Sequence, residues 1–274
     1  MNFVNLTELT EDSKKLARMI PKQYSGVITI PRSGLIPATV VSLHHNIPLM
    51  TIDMFLAGES FGEGRRCLSG VERDSYILID DSIFGGVSMA EAKKKLGDRK
   101  NIDSAAVYIS DVAPDIADFY VRLVKKPRIF EWNLFHHRTL YKTCCDIDGV
   151  LCPDPTQEEN DDGEKYIDFI KNTRPLVIPT NPINTLVTCR LEKYRGLTNE
   201  WLNRHGIEYS RLVMMQYKTA KERRAAGGYG AYKADIYKKS KDCGFFIESD
   251  IKQARQIREI SKKPVLCTDG MVLV

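Results

Sequence analysis

The chain has 274 residues, enough for two domains of ordinary size that each bury their own core. Its net charge of +4 and its 28% charged residues are modest, which removes any requirement for a nucleic-acid or membrane partner while suiting anionic phosphate substrates. No stretch approaches the roughly 20 apolar residues of a membrane span, the first ten residues lack the basic start and apolar centre of an export signal, and the seven cysteines show no zinc-like spacing, so a cytoplasmic protein with reduced thiols is expected.

Short apolar runs alternating with helical patterns predict an α/β fold in both halves, each a mainly parallel sheet flanked by helices. In chain order, Thr10, Glu11 and Asp12 are expected to cap a helix through Ile20. Strands are expected at 27–30, 49–55, 76–79 and 105–109, with helices at 35–45 and 87–96. Beyond them come strands at 140–145, 185–188, 212–215, 245–247 and 265–267, and helices at 165–172, 195–204, 231–240 and 251–260. The polar and aromatic stretch at 136–139 is the expected boundary, giving domains 1–138 and 139–274. The acidic segment 154–164 is expected to be a surface loop.

The first site lies where the apolar run 76–79 ends in Asp80 and Asp81, followed by Gly85-Gly86-Val87-Ser88 at the start of a helix. That order aims main-chain N–H groups and a hydroxyl at an anion, with the positive end of the helix dipole behind them. Asp80 and Asp81 at the carboxyl edge of a sheet suit ribose hydroxyls or a metal. The pattern resembles the ribosyl-phosphate motif of type I phosphoribosyltransferases, with Gly85 in place of the family's usual first Thr and Ser88 in place of its second. Residues 30–38 resemble that family's pyrophosphate loop, so the resemblance implies that Arg32, Ser33 and Gly34 bind pyrophosphate. It also implies that the glycine- and charge-rich segment 58–73 closes over the site, with Arg65 or Arg66 neutralising pyrophosphate. A base-gripping hood is implied too, for which the aromatics of 118–120 and 130–132 are candidates.

The second site starts from Asp146-Ile147-Asp148-Gly149, directly behind an apolar run. Two carboxylates two residues apart, followed by a glycine that turns the backbone away, can hold Mg2+ and leave an oxygen free to attack phosphorus. With three later elements the region resembles the haloacid dehalogenase-like (HAD) phosphatase superfamily across nearly all of 140–268. The resemblance implies Asp146 as nucleophile, Asp148 as proton carrier, Thr188 as phosphoryl hydrogen-bond donor with Arg190 as helper, and Lys233, with Lys238 as competitor, as the charge holding Asp146 and phosphate together. Metal ligation is implied for Asp146, Asp148, Glu248 and Asp250, directly or through water. Residues 194–202 with 212–215 also resemble the phosphatase part of polynucleotide kinase-phosphatases, which would set Lys218, Lys221, Arg223 and Arg224 near a phosphate backbone, although a solvated charged loop is the favoured expectation for them.

Together these features lead us to expect a Mg2+-dependent bifunctional enzyme of nucleotide metabolism. Its partners are phosphorylated small molecules (phosphoribosyl pyrophosphate, a nucleotide or a sugar phosphate), no membrane, nucleic acid only as a less favoured option, and a homodimer as an open one. Two rival readings are a phosphatase governed by a ribosyl-phosphate or nucleotide sensor domain, and a nucleic-acid end phosphatase.

Overall fold

Parallel strands separated by helices account for both halves of the chain in the computed structural model, which describes residues 1–21, 24–61, 74–99, 101–112 and 116–274. These form two units, Met1–Trp132 and Asn133–Val274. The expected arginines Arg65 and Arg66 lie outside the described residues.

The first unit runs β1 (Asn2–Val4), α1 (Leu6–Met19), β2 (Gly26–Thr29), α2 (Leu35–His45), β3 (Leu49–Thr51), α3 (Ile52–Ala57), β4 (Tyr76–Ile83), α4 (Val87–Leu96), β5 (Ile102–Ile109), β6 (Phe119–Leu123) and β7 (Arg128–Phe130). The main sheet has the order β3-β2-β4-β5-β6 with every pair parallel, and β1 pairs with β7. Alternation along β4 buries both faces: Ile77 and Ile79 join Leu9, Leu16 and Val41 on one side, while Leu78 joins Met89, Ala92 and Leu96 on the other.

Two local expectations are corrected here. Helix α1 starts four residues before Thr10, because Asn5 accepts from the Glu8 N–H while the Glu8 carboxylate accepts from the Asn5 N–H; this capping box outcompetes the later acids. The run 49–55 is a strand only as far as Thr51, whose hydroxyl accepts from the Met54 N–H and starts α3.

The second unit contains β8 (Thr143–Cys145), α5 (Glu164–Asn172), β9 (Ile183–Leu191), α6 (Arg195–Arg204), β10 (Tyr209–Met215), α7 (Ala220–Ala226), α8 (Tyr229–Lys239), β11 (Phe245–Glu248), α9 (Ile251–Ser261), β12 (Val265–Cys267) and β13 (Val272–Leu273). Its sheet order is β10-β9-β8-β11-β12-β13, parallel except for the last pair. Residues 140–142, expected as the start of a strand, belong to a 3-10 turn, Arg138–Lys142, instead. One sheet face packs Cys144, Val187 and Phe246 against Ala234, Tyr237, Ala254 and Ile257 of α8 and α9. Cys144, Cys145, Cys152, Cys243 and Cys267 are free and buried. Among the described residues no helix is long and apolar enough to cross a membrane.

Trp201 of α6 is fully buried and donates its indole N–H to the Thr173 carbonyl at 2.7 Å. Trp201→Ala removes that donor and leaves a cavity, and is expected to cost about 3–5 kcal/mol in urea unfolding followed by circular dichroism.

Candidate active sites

In the first unit, β2 leaves the sheet after Thr29, whereas β4 continues beside β5 through Ile83. Asp80 and Asp81 therefore lie within β4, opposite the turn that connects β2 to α2. Both are buried, at 7% and 3% exposure. The turn docks against β4: the Ile30 N–H donates to the Ile79 carbonyl at 3.0 Å, and the Ser33 hydroxyl donates to Asp81 Oδ1 at 2.6 Å. Gly34 is required by this approach, since a Cβ there would collide with the Ile30 carbonyl oxygen and crowd that of Ile79.

The other oxygen of Asp81 accepts from the Trp132 indole N–H at 2.9 Å. Trp132 closes a stack with Phe130 and Tyr108, its ring 4.8 Å from that of Phe130. Of the hood aromatics, Phe130 is core, Phe119 packs on the core, and Asp118 is tied to Ser104 at 2.6 Å; Tyr120 is exposed. Trp132 is thus a positioning residue that the sequence presented only as an aromatic. Arg128 is a second unanticipated neighbour, donating to the Ile83 carbonyl at 3.1 Å, its charge disfavoured by burial and favoured by Asp81 and Asp111.

Beyond β4, Gly86 takes a left-handed conformation (φ 76°) and serves as N-cap of α4 without any side-chain capping bond, so the first N–H groups of the helix stay open. Ile116 packs where a Cβ on Gly86 would sit. Ser88 and Arg32 are exposed, and Gly85 has open space around it. The site thus brings together two buried acids, an open helix start and an exposed arginine.

In the second unit, β9, β8 and β11 are adjacent and parallel, so their carboxyl ends deliver Asp146, Arg190 and Glu248 to one edge. Lys233 of α8, 2% exposed, reaches back to donate to Asp146 Oδ2 and to Glu248 Oε2, the latter at 2.7 Å. Lys238 is exposed on the same helix, so Lys233 is the lysine that meets Asp146. Burial pushes the Asp146 carboxyl upward, Lys233 opposes this, and Glu248 and Asp148 add to it. Arg190, fully buried, clasps Asp148 through Nη2 at 2.6 Å and Nε at 3.1 Å. Asp148 Oδ2 keeps only one of these contacts, at 3.1 Å.

The remaining expected residues each have partners of their own. Thr188 is fully buried and its hydroxyl accepts from the Arg190 N–H at 3.2 Å; Cys189, next along β9, lines the cavity beside Asp146. Glu248 is saturated, with Lys233 on one oxygen and the Ser249 and Asp250 N–H groups on the other at 3.0 and 3.2 Å. Asp250 caps α9 through Oδ1.

The acidic segment is not simply a surface loop: its Asp154, Pro155 and Asn160, together with Tyr166 of α5, line the same cavity, about 350 Å³ in volume. Gly149, at φ 76°, permits this, since a Cβ there would collide with Ser249 and press on the Asp154 carboxylate. Partial burial raises the Asp154 carboxyl, Asp148 raises it further, Lys233 opposes this, and Glu248 and Asp250 add to the rise. Among the described residues no three His, Cys, Asp or Glu side chains converge as a ready ligand cluster. The excess of acids over Lys233 and Arg190 nonetheless suits a hard divalent cation of the Mg2+ type, which takes one or two carboxylates and otherwise water or phosphate oxygens.

Two outcomes test these arrangements. Lys233→Met leaves Asp146 and Glu248 buried without their cation and is expected to lose about 3–5 kcal/mol in chemical unfolding, part of which Lys233→Met/Glu248→Gln regains. In the first unit, burial and then Asp81 raise Asp80 from 3.8 to about 8. The folded chain therefore keeps a proton that the unfolded chain releases, so stability falls as pH rises across that window. The thermal midpoint of the wild type should drop between pH 5 and 8, and Asp80→Asn should flatten the drop.

No protein-family model matches the chain. Two curated relatives do: the xanthine-guanine phosphoribosyltransferase of Idiomarina loihiensis, 27% identical over 146 residues covering 49% of this chain and 88% of that protein, and that of Desulfotalea psychrophila, 30% identical over 139 residues covering 47% and 84%. Among solved structures, the purine phosphoribosyltransferase from Pyrococcus horikoshii Ot3 is 26% identical and covers 48% of this chain and 94% of its own, with a TM-score of 0.36. Through about half of its length, the chain belongs to the phosphoribosyltransferase family.

Proposed function

We propose that the first unit is a purine-type phosphoribosyltransferase and the second a Mg2+-dependent phosphatase that uses an aspartate nucleophile and has a HAD-like fold. The family relationship supports the first assignment, with the purine suggested by what the relatives are named for. In this reading a purine nitrogen attacks the ribose carbon of phosphoribosyl pyrophosphate, the bond to pyrophosphate breaks, and positive charge grows on the ring. Asp80 and Asp81 face the ribose, the open start of α4 with Ser88 takes the sugar phosphate, and the turn at Arg32–Gly34 takes pyrophosphate. The ties from Ser33 and Trp132 hold Asp81 in one rotamer before substrate arrives, a form of preorganisation.

One observation carries the second assignment: a buried lysine joins the Asp-x-Asp aspartate to the acid that ends the neighbouring strand. Asp146 attacks phosphorus, the ester oxygen leaves with a proton supplied by Asp148, and water attacks the aspartyl-phosphate to release phosphate. Lys233 offsets the repulsion between carboxylate and phosphate, which would otherwise forbid the approach. Asp148 Oδ2, the oxygen less engaged by Arg190, is the one placed to pass the proton. Asp146 and Asp250, beside Asp154, would hold Mg2+, which when bound supplies charge neutralisation of the phosphoryl oxygens. Glu248 acts through Lys233.

Phosphorus NMR with Mg2+, phosphoribosyl pyrophosphate and pooled purines tests both halves. Pyrophosphate release in the wild type, with a phosphorylated product accumulating only in Asp146→Asn, is the expected result. Asp146-dependent phosphate release without any pyrophosphate would leave a phosphatase governed by a ribosyl-phosphate sensor. Full phosphatase activity in Asp146→Asn would refute the nucleophile.

A further inference from the structure

The cavity beside Asp146 holds a cation that the reaction above does not use. Arg223, on α7, is 7% exposed and lines that cavity. Its guanidinium donates to neutral acceptors, the Cys189 carbonyl at 2.9 Å and Asn160 Oδ1 at 3.1 Å, and lies near the Tyr166 hydroxyl and the Tyr229 ring. Among the described residues it forms no ion pair, and its Nε is buried without a hydrogen-bond partner. Next to it, Arg224 lines the same cavity and donates to the Asn160 carbonyl at 3.4 Å, with no ion pair among the described residues.

Buried charges in proteins are ordinarily paired, because desolvation without a counter-charge is strongly unfavourable. A buried guanidinium without a counter-charge, on a residue that lines a cavity beside a second arginine, is a complement to an oxyanion. The charge of Lys233 is already matched by Asp146 and Glu248, so the arginine pair is a separate positive centre. Resting on the phosphatase reading, we propose that Arg223 and Arg224 bind a second anionic group of the substrate, which is then a small phosphate monoester carrying another phosphate or a carboxylate. The cavity volume of about 350 Å³ suits a molecule of that size.

The test uses the full chain and three probes: fructose 1,6-bisphosphate for a second phosphate, 3-phosphoglycerate for a carboxylate, and β-glycerophosphate for a neutral remainder. Calorimetric binding to Asp146→Asn and kcat/KM of the wild type are both measured. At least one of the two probes with a second anionic group should be favoured over β-glycerophosphate, and Arg224→Gln and Arg223→Lys should each cut that preference by about tenfold or more. Lys221→Gln, exposed on the same helix outside the cavity, is the unaffected control. Absence of a preference, or equal losses on all three probes, would overturn the second-anion site. Arginine-dependent binding without Asp146-dependent hydrolysis would keep the site and refute the phosphatase instead.

Discussion

The second unit depends on a single buried cation. Lys233 lies between Asp146 and Glu248, all three nearly or wholly without solvent. Moving three charges out of water is unfavourable by several kcal/mol per ion, and the interaction is sustainable only because one ammonium satisfies two carboxylates at hydrogen-bonding distance. The other oxygen of Glu248 accepts from two main-chain N–H groups of the turn after β11 and from the Ser249 hydroxyl, so the lysine, the strand end and the turn are a single construction. The same arrangement leaves Asp146 as an acid on a cavity wall, held in place but not consumed.

A second ion pair, Asp148 with Arg190, runs beside it and is organised in the same way. Arg190 is anchored by its fork on Asp148, by Cys152 at 3.3 Å and by Thr198 at 3.4 Å. Each aspartate of the Asp-x-Asp set therefore has its own buried cation, contributed by a different element. The first unit solves a similar problem with neutral donors: a serine hydroxyl and an indole N–H fix Asp81, and Asp80, lacking a cation, is driven toward its neutral form. Buried acids on a parallel sheet are common to both units, and their partners differ: neutral donors in the first and buried cations in the second.

Much of this was legible in the amino-acid sequence. The alternation of short apolar runs with helical patterns gave two α/β units, because strands buried on both faces read as uninterrupted apolar segments such as Ile77–Ile79. The strand-acid-glycine order likewise marked Asp80, Asp81, Gly86 and Asp146 as candidates, whereas Lys233 was singled out only by the resemblance to the phosphatase superfamily. Element ends were less legible. The start of α1 depended on which of two polar clusters supplied the cap, and the end of β3 on a threonine hydroxyl competing with the ladder.

By itself, then, the sequence determined the alternating α/β plan and the chemical types at each strand end, because periodicity and turn chemistry are local properties of the chain. Only the tertiary structure decided the partners. Trp132 meets Asp81 across 51 positions, Lys233 meets Asp146 across 87, and Arg223 meets Asn160 across 63. Such pairings arise from the order of strands in a sheet and from which side chains face a shared cavity. The same holds for the burial of Thr188 and Arg223, since a threonine or an arginine carries no local mark of whether its surroundings will be water or protein.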